Sequence, residues 1–455
     1  MADKLDLMFE DEDGGKTLTT SVSFNFNRLY YDGSDVVAML SFTAPDHDIE
    51  KSRPPLNLVA AIDVSTSMAG QKLNTAKTSL VKLIEYLGQD DRLAVIAFGS
   101  DVRTVFESNF MNGSCKTAAQ NAVRNLKVTG WTNLSGALME SFATMKRFEG
   151  KKGSINRVIL FTDGEPTAGI TAPDGILELL QKALTPQISI STFGYGKDYN
   201  EELLSEMSKR GNGNHYLVED IERCAAMFGT ELGGLLSTYA QNIHVEVTPT
   251  EGVQLLEFLD GYETQGNILT IPDILSGETK NVLVKLRTPK KTTSDLGTLN
   301  IVGFKATYDD LKEGRRINIS ETGSVELIRK ADLSTEPNIV VQEQIDLLQA
   351  AKALEQARQL AQDGNIEEAK GVLSSAVRGL NISSVYAHNV GSELTWMADN
   401  LGSDMESMSK RMVATRHAYT TRRAAGTAAD ELFMNRTQTV LSTAMESDSD
   451  TSSSK

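Results

Sequence analysis

The feature that most constrains this chain is its rhythm between Pro55 and about Tyr239. Four runs there, LNLVAAID (56–63), RLAVIAF (92–98), VILFTD (158–163) and ISISTFGYG (188–196), are nearly continuous in apolar residues. Runs of this kind suit strands covered on both faces. Helical periodicity separates them: Leu73, Ala76, Leu80, Leu83, Ile84 and Leu87 recur at a spacing of three and four. Further helices are expected near 115–126, 133–148, 173–184, 200–210 and 220–238, with a short strand at VRTVF and an extended NHYLV. Strand–helix alternation sustained over this length predicts a doubly wound α/β domain, residues 55–240.

The flanks read differently. In VSFNFN, Val22, Phe24 and Phe26 share one face of a strand, and a Tyr-Asp-Gly turn leads to VVAMLSFTA. Such a hairpin cannot bury its face alone. From 241 to 330 strands return (IHVEVTP, VQLLEFL, NILTIPDI, KNVLVKLRTP, LNIVGFKATY and SVELIRK) with no helix between them. Residues 1–54 and 241–330 are therefore predicted to form one all-β sandwich, with the α/β domain inserted in it. The alternative is a hairpin packed on the α/β domain itself. From Glu336 helical periodicity dominates, and LAQDGNIEEAKGVLSSAVRGL reads as helix, Gly-Asn turn, helix. Residues 336–430 form a helical hairpin region, resembling half of a tetratricopeptide hairpin with no second copy at a fixed period. The low-complexity residues 440–455 are expected to be a disordered acidic tail.

Composition narrows the function classes. A chain of 455 residues suits two to four domains. A net charge of −16 repels nucleic acid and anionic membranes. The N-terminal MADKLDLMFEDEDGG has no apolar core of a signal peptide, and no apolar run approaches the roughly 20 residues of a membrane span. The two cysteines, Cys115 and Cys224, fall in helical segments and make no disulfide framework. Cytoplasmic residence is expected.

Chemistry concentrates at the strand ends, where open α/β sheets bind their ligands. LNLVAAID runs into Asp63-Val64-Ser65-Thr66-Ser67, and VILFTD ends on Asp163. Between them, Thr129-Gly130-Trp131-Thr132-Asn133 opens a helix and brings Thr132 toward the same rim. Asp63, Ser65, Ser67, Thr132 and Asp163 are all hard oxygen donors, which favours Mg²⁺, Mn²⁺ or Ca²⁺ over zinc. A serine at a strand end is often just a helix cap. That accounts for Ser67 alone, but not for five donors on one rim.

The Asp-x-Ser-x-Ser loop, the distant Thr132 and the Asp163-Gly164 pair resemble the metal-ion-dependent adhesion site of von Willebrand factor A domains over residues 56 to about 240. The resemblance implies a non-enzymatic module in which a metal on Asp63, Ser65, Ser67, Thr132 and Asp163 captures a Glu or Asp carboxylate of a protein partner, in complex assembly. It implies that the threonine coordinates directly when ligand is bound, while one aspartate retreats behind a water. It also implies that the metal loops can be coupled to the last helix, here 220–238. The order of elements is similar, more loosely, to intracellular and inter-α-trypsin-inhibitor-like A-domain proteins.

Other readings have less support. A phosphohydrolase of the haloacid dehalogenase type needs a second Asp where this chain has Ser65. A scaffold acting through its C-terminal helices, with a structural metal, remains an alternative. The five histidines show no ligand spacing, and no P-loop, HExxH or GxSxG occurs. Trp131 either contacts a partner or packs on a neighbouring loop. Lys410, Arg411, Arg416, Arg422 and Arg423 read as a solvated basic face, and Met397, Met405, Met408 and Met412 as helix packing.

Overall fold

The computed structural model describes residues 17–452, apart from 47–52, 149, 151–152, 164, 186, 197–198, 219–223, 293–294, 330–335, 381–384, 404 and 422–432. The acidic residues 1–16, Arg422 and Arg423 thus lie outside the described residues. The chain opens with β1 (Thr19–Phe24), β2 (Arg28–Tyr30) and β3 (Asp35–Thr43). An α/β segment follows: β4 (Leu56–Asp63), α1 (Gln71–Tyr86), β5 (Arg92–Phe98), β6 (Val102–Phe110), α2 (Gly113–Arg124), α3 (Leu134–Arg147), β7 (Ile155–Thr162), α4 (Pro173–Ala183), β8 (Ile188–Tyr195), α5 (Glu201–Arg210), β9 (His215–Val218) and α6 (Cys224–Leu236). Then come β10 (Thr238–Pro249), β11 (Gln254–Phe258), β12 (Glu263–Gln265), β13 (Ile268–Ile271), β14 (Ile274–Leu275), β15 (Thr279–Arg287), β16 (Gly297–Asp310) and β17 (Arg315–Ile328). The chain closes with α7 (Ile339–Gln362), α8 (Ile366–Gly379), α9 (Val385–Asn400), α10 (Met405–Thr421) and α11 (Arg436–Ser452).

The α/β sheet has the order β6-β5-β4-β7-β8-β9. All its neighbours pair in parallel except β6, an antiparallel edge. Every residue of β4 and β8 is buried, as two-sided cover requires. One face packs Leu73, Leu80 and Ile84 of α1 with Phe228 and Leu232 of α6; the other packs Leu138 and Phe142 of α3 with Leu203 and Met207 of α5. The chain leaves β4 toward β5 on one side and returns through β7 on the other. The gap between the ends of β4 and β7 is therefore the topological switch point, where a doubly wound sheet opens a crevice.

The flanking strands form two further sheets, β1-β3-β15-β11 and β12-β13-β10-β16-β17-β2. β3 pairs with β15 from Asp35↔Arg287 to Thr43↔Thr279, which joins the N-terminal strands to the later β segment and rules out a hairpin on the α/β domain. Phe24, Leu40 and Phe42 share one core with Val245, Leu269 and Phe304 of the second sheet. The run VVAMLSFTA is apolar on both faces for a structural reason: Val37 and Met39 point away from that core and are covered by Val341 and Leu348 of α7. β2, which the sequence pattern did not separate from the hairpin, pairs in parallel with β17.

Two expectations fail. The disordered tail expected from 440 is a helix as far as Ser452, with Met445 buried against the α/β core; an apolar partner face overrides the polar composition. The solvated basic face is also wrong for its described members. Lys410 is buried, its Nζ donating to the Tyr199 carbonyl at 3.0 Å, while Arg411 pairs with Glu393 and Arg416 with Glu355. These cations bind α10 to its neighbours. Met397, Met408 and Met412 do pack in the helical core.

Candidate functional site

Asp63 is the last residue of β4, and Asp163 follows the last residue of the adjacent β7. Both carboxylates are fully buried at the switch point. Past β4 the chain turns sharply. The backbone N–H of Ser65 donates to Asp63 Oδ1 at 2.8 Å, a local side-chain turn that Asp favours. Thr162 Oγ1 donates to Asp63 Oδ2 at 2.6 Å, so each oxygen of this carboxylate is oriented by one donor. Ser65 Oγ lies 3.0 Å from Ser67 Oγ, and Ser67 Oγ donates to Asp163 Oδ1 at 2.8 Å. Asp63, Ser65, Ser67 and Asp163 thus form one hydrogen-bonded set.

Thr132 stands on the adjoining loop and is also buried. That loop is tied to the Asp63 loop from the backbone: Thr66 N and Thr66 Oγ1 both donate to the Gly130 carbonyl, at 3.1 and 2.9 Å. On its other side Thr132 N donates to Thr167 Oγ1 at 2.8 Å, and the Thr132 carbonyl accepts from Thr167 N and Ala168 N. Close approach demands glycine here. A Cβ on Gly99 would meet Thr129 Oγ1 at 2.0 Å, and one on Gly130 would meet Ser100 Oγ at 2.4 Å. Trp131 does not pack on a neighbouring loop: it is 64% exposed at this rim.

Burial dominates the electrostatics of Asp63 and pushes its carboxyl up to about 6; the Ser65 and Thr162 hydrogen bonds pull it down, and the Asp163 charge adds to the rise. A buried carboxylate held ready to ionise is suited to a cation. Among the described residues no cluster of three or more His, Cys, Asp or Glu side chains forms a metal site. The donors here are instead two carboxylates and the hydroxyls beside them, the chemistry of a hard, oxygen-loving ion.

The sequence pattern missed two members. Thr162 orients Asp63, and Lys72, in the first turn of α1, places its ammonium against Asp163 Oδ2.

Residues 57–229 match the family model of the von Willebrand factor type A domain. The chain carries a von Willebrand factor A domain. This domain is 32% identical over 197 residues to YfbK of Escherichia coli, a match covering 43% of this chain and 34% of that protein. The human inter-alpha-trypsin inhibitor heavy chain H6 is 32% identical over 174 residues, 35% of this chain and 13% of that one. The chain thus matches well under half the length of either relative. The protein sll0103 of Synechocystis is 25% identical over 349 residues, 74% of this chain and 80% of that protein. Among solved structures, a von Willebrand factor type A protein from Catenulispora acidiphila superposes with a TM-score of 0.70 at 16% identity, covering 89% of this chain and 98% of that one. The ArnB paralog VWA2 from Sulfolobus acidocaldarius does so with a TM-score of 0.61 at 18% identity, covering 89% and 99%. The fold shared with these two extends beyond the A domain to the β-rich flanks and helices.

Proposed function

We propose that this protein is a non-enzymatic binding module that captures an acidic residue of a protein partner through a divalent cation, Mg²⁺ or a similar hard ion. The site for the cation would be built from Asp63, Ser65, Ser67, Thr132 and Asp163, each acting directly or through a bridging group. The observation that carries this reading is the hydrogen-bonded set of Asp63, Ser65, Ser67 and Asp163 at the switch point between β4 and β7. Asp63 supplies a buried negative charge that Ser65 N–H and Thr162 Oγ1 hold in one orientation. Ser67 donates its proton to Asp163, which leaves the lone pairs of its oxygen directed elsewhere. The glycines at 99 and 130 let the loop that carries Thr132 close against the turn after β5. When bound, the cation supplies an electrophilic coordination position that a carboxylate can fill.

The hydrolase reading has less support: Ser65 stands where a second Asp would be required, and its Oγ lies 3.0 Å from Ser67 Oγ. The test is a pull-down from native lysate with wild type and Asp63→Ala, each with Mg²⁺ and with chelator. Partners recovered only by wild type with Mg²⁺ are expected. Recovery of the same set under all four conditions would sink the proposal.

A further inference from the structure

Both oxygens of Asp163 are engaged, one of them by a cation. Its Oδ1 accepts from the Ser67 hydroxyl at 2.8 Å, and its Oδ2 is in contact with the Lys72 ammonium. The Asp163 side chain has no exposed surface, so solvent does not compete for either oxygen, and Lys72 keeps 24% of its own surface. The position of the lysine is specific. Its head lies beneath Gly196, which has a φ of 80°, and a Cβ at that residue would come within 3.2 Å of Nζ. It stands in the first turn of α1, where the helix dipole opposes it. A cation kept there against the dipole is held by Asp163.

We infer that Lys72 is a positioning residue that keeps Asp163 out of direct contact with the bound cation and thereby sets the strength with which the site captures a carboxylate. This rests on the metal reading above and deepens it. The physical argument is a charge count. Asp63 and Asp163 contribute two negative charges, and Lys72 returns one. A divalent ion joining this set leaves a surplus of one positive charge, which a partner's carboxylate cancels. Without the ammonium the same ion is already neutralised by two carboxylates. It is then held more tightly, and attracts an incoming anion less. The lysine thus trades affinity for the cation against affinity for the partner. Asp163 acts through Ser67, by accepting its proton.

The test uses the full chain, with Mn²⁺ as the metal probe and acetate as the carboxylate probe. Free Mn²⁺ is followed by electron paramagnetic resonance, and acetate binding by water-proton relaxation of the Mn²⁺-loaded protein. Lys72→Met is expected to bind Mn²⁺ roughly tenfold tighter and acetate roughly tenfold more weakly, since one nearby unit charge in a partly buried site is worth at least that much. Lys72→Arg, which keeps the charge, should match wild type in both. The charge-conserving double variant Lys72→Met/Asp163→Asn should hold Mn²⁺ within about threefold of wild type, because the net local charge is unchanged. Lys72→Met binding Mn²⁺ no more tightly than wild type, with its circular dichroism intact, overturns the inference. So does loss of Mn²⁺ binding in the double variant, which would make Asp163 a direct ligand. Asp63→Ala tests the underlying reading separately: Mn²⁺ binding equal to wild type in that variant overturns the metal site itself, and the inference with it.

Discussion

Asp63 carries its charge where water does not reach, and that has a measurable sign. Burial lifts its carboxyl to about 6 from the ordinary 3.8. The folded protein therefore holds this proton more tightly than the unfolded chain. The resulting stabilisation is fully present below the unfolded value and is lost as pH rises through about 6. For a shift of this size it is on the order of 3 kcal/mol. Metal-free wild type should melt higher at pH 5 than at pH 7, relative to Asp63→Asn, which lacks the titration. On the proposed function Mg²⁺ would hold the carboxylate ionised, so its stabilising effect should be larger at pH 7 than at pH 5. Thermal melts at both pH values, with and without Mg²⁺, check this; a Mg²⁺ shift equal at the two would refute it. At this scale the sequence was most informative. That Asp63, Ser65, Ser67 and Asp163 meet was legible because each stands at a strand end or in the loop after it, which the apolar pattern locates. Thr162 and Lys72 were not singled out, because a Thr inside a strand and a Lys on a helix are commonplace until the fold sets them against a carboxylate.

At the scale of elements, α6 and α11 pack unusually closely. Gly229 and Gly233, four residues apart, lie on one face of α6. A Cβ at Gly229 would meet the Leu441 carbonyl oxygen at 2.4 Å, and one at Gly233 would meet Gln438 Cα at 2.7 Å. Close approach lets Gln438 Nε2 donate to the Thr230 carbonyl at 3.1 Å, and Asn435 Nδ2 donate to Ser237 Oγ at 2.9 Å. Two effects oppose each other in Gly229→Ala. Helix propensity gains up to about 1 kcal/mol. Overpacking against backbone, which cannot rotate away as a side chain can, costs about 1–3 kcal/mol. The clash should win. Hydrogen exchange in 436–445 is expected to accelerate in Gly229→Ala, and unchanged protection there would show that the contact is not limiting. α6 also runs through a single residue, Ser237, into β10. A helix packed on the α/β sheet is therefore continuous with the sandwich.

At the scale of the molecule, a buried cation joins the α/β domain to the sandwich. Arg157 of β7 lies 3.3 Å from Asp273, between β13 and β14, and 3.8 Å from Glu231 of α6. Glu231 in turn accepts from Ser191 Oγ, Asn214 Nδ2 and Tyr216 Oη. All three charged groups are almost fully buried. Arg157→Met would leave two carboxylates without their cation, a loss of about 3–5 kcal/mol by the usual cost of breaking a buried pair. The urea midpoint should fall accordingly, with the sandwich and the A domain loosening together. A stability change below about 1 kcal/mol would mean that the network breaks even against its desolvation. Among the described residues no helix is long and apolar enough to cross a membrane.

Periodicity alone determined the α/β core, the β segments either side of it and the helical arm, because burial on one or two faces writes itself into residue order. The same periodicity marked the strand ends where Asp63, Ser65, Ser67 and Asp163 meet. Strand pairing across distant segments was decided only in three dimensions. β2 chose β17, three hundred residues away, and α7 covered the outer face of β3. The polar residues after 440 were read as disordered, yet α11 is a helix held against α6. Lys410 looked solvated and is buried. Lys72 acquired a role only beside Asp163. In each case the deciding quantity is the environment supplied by residues far along the chain, and local composition does not contain it.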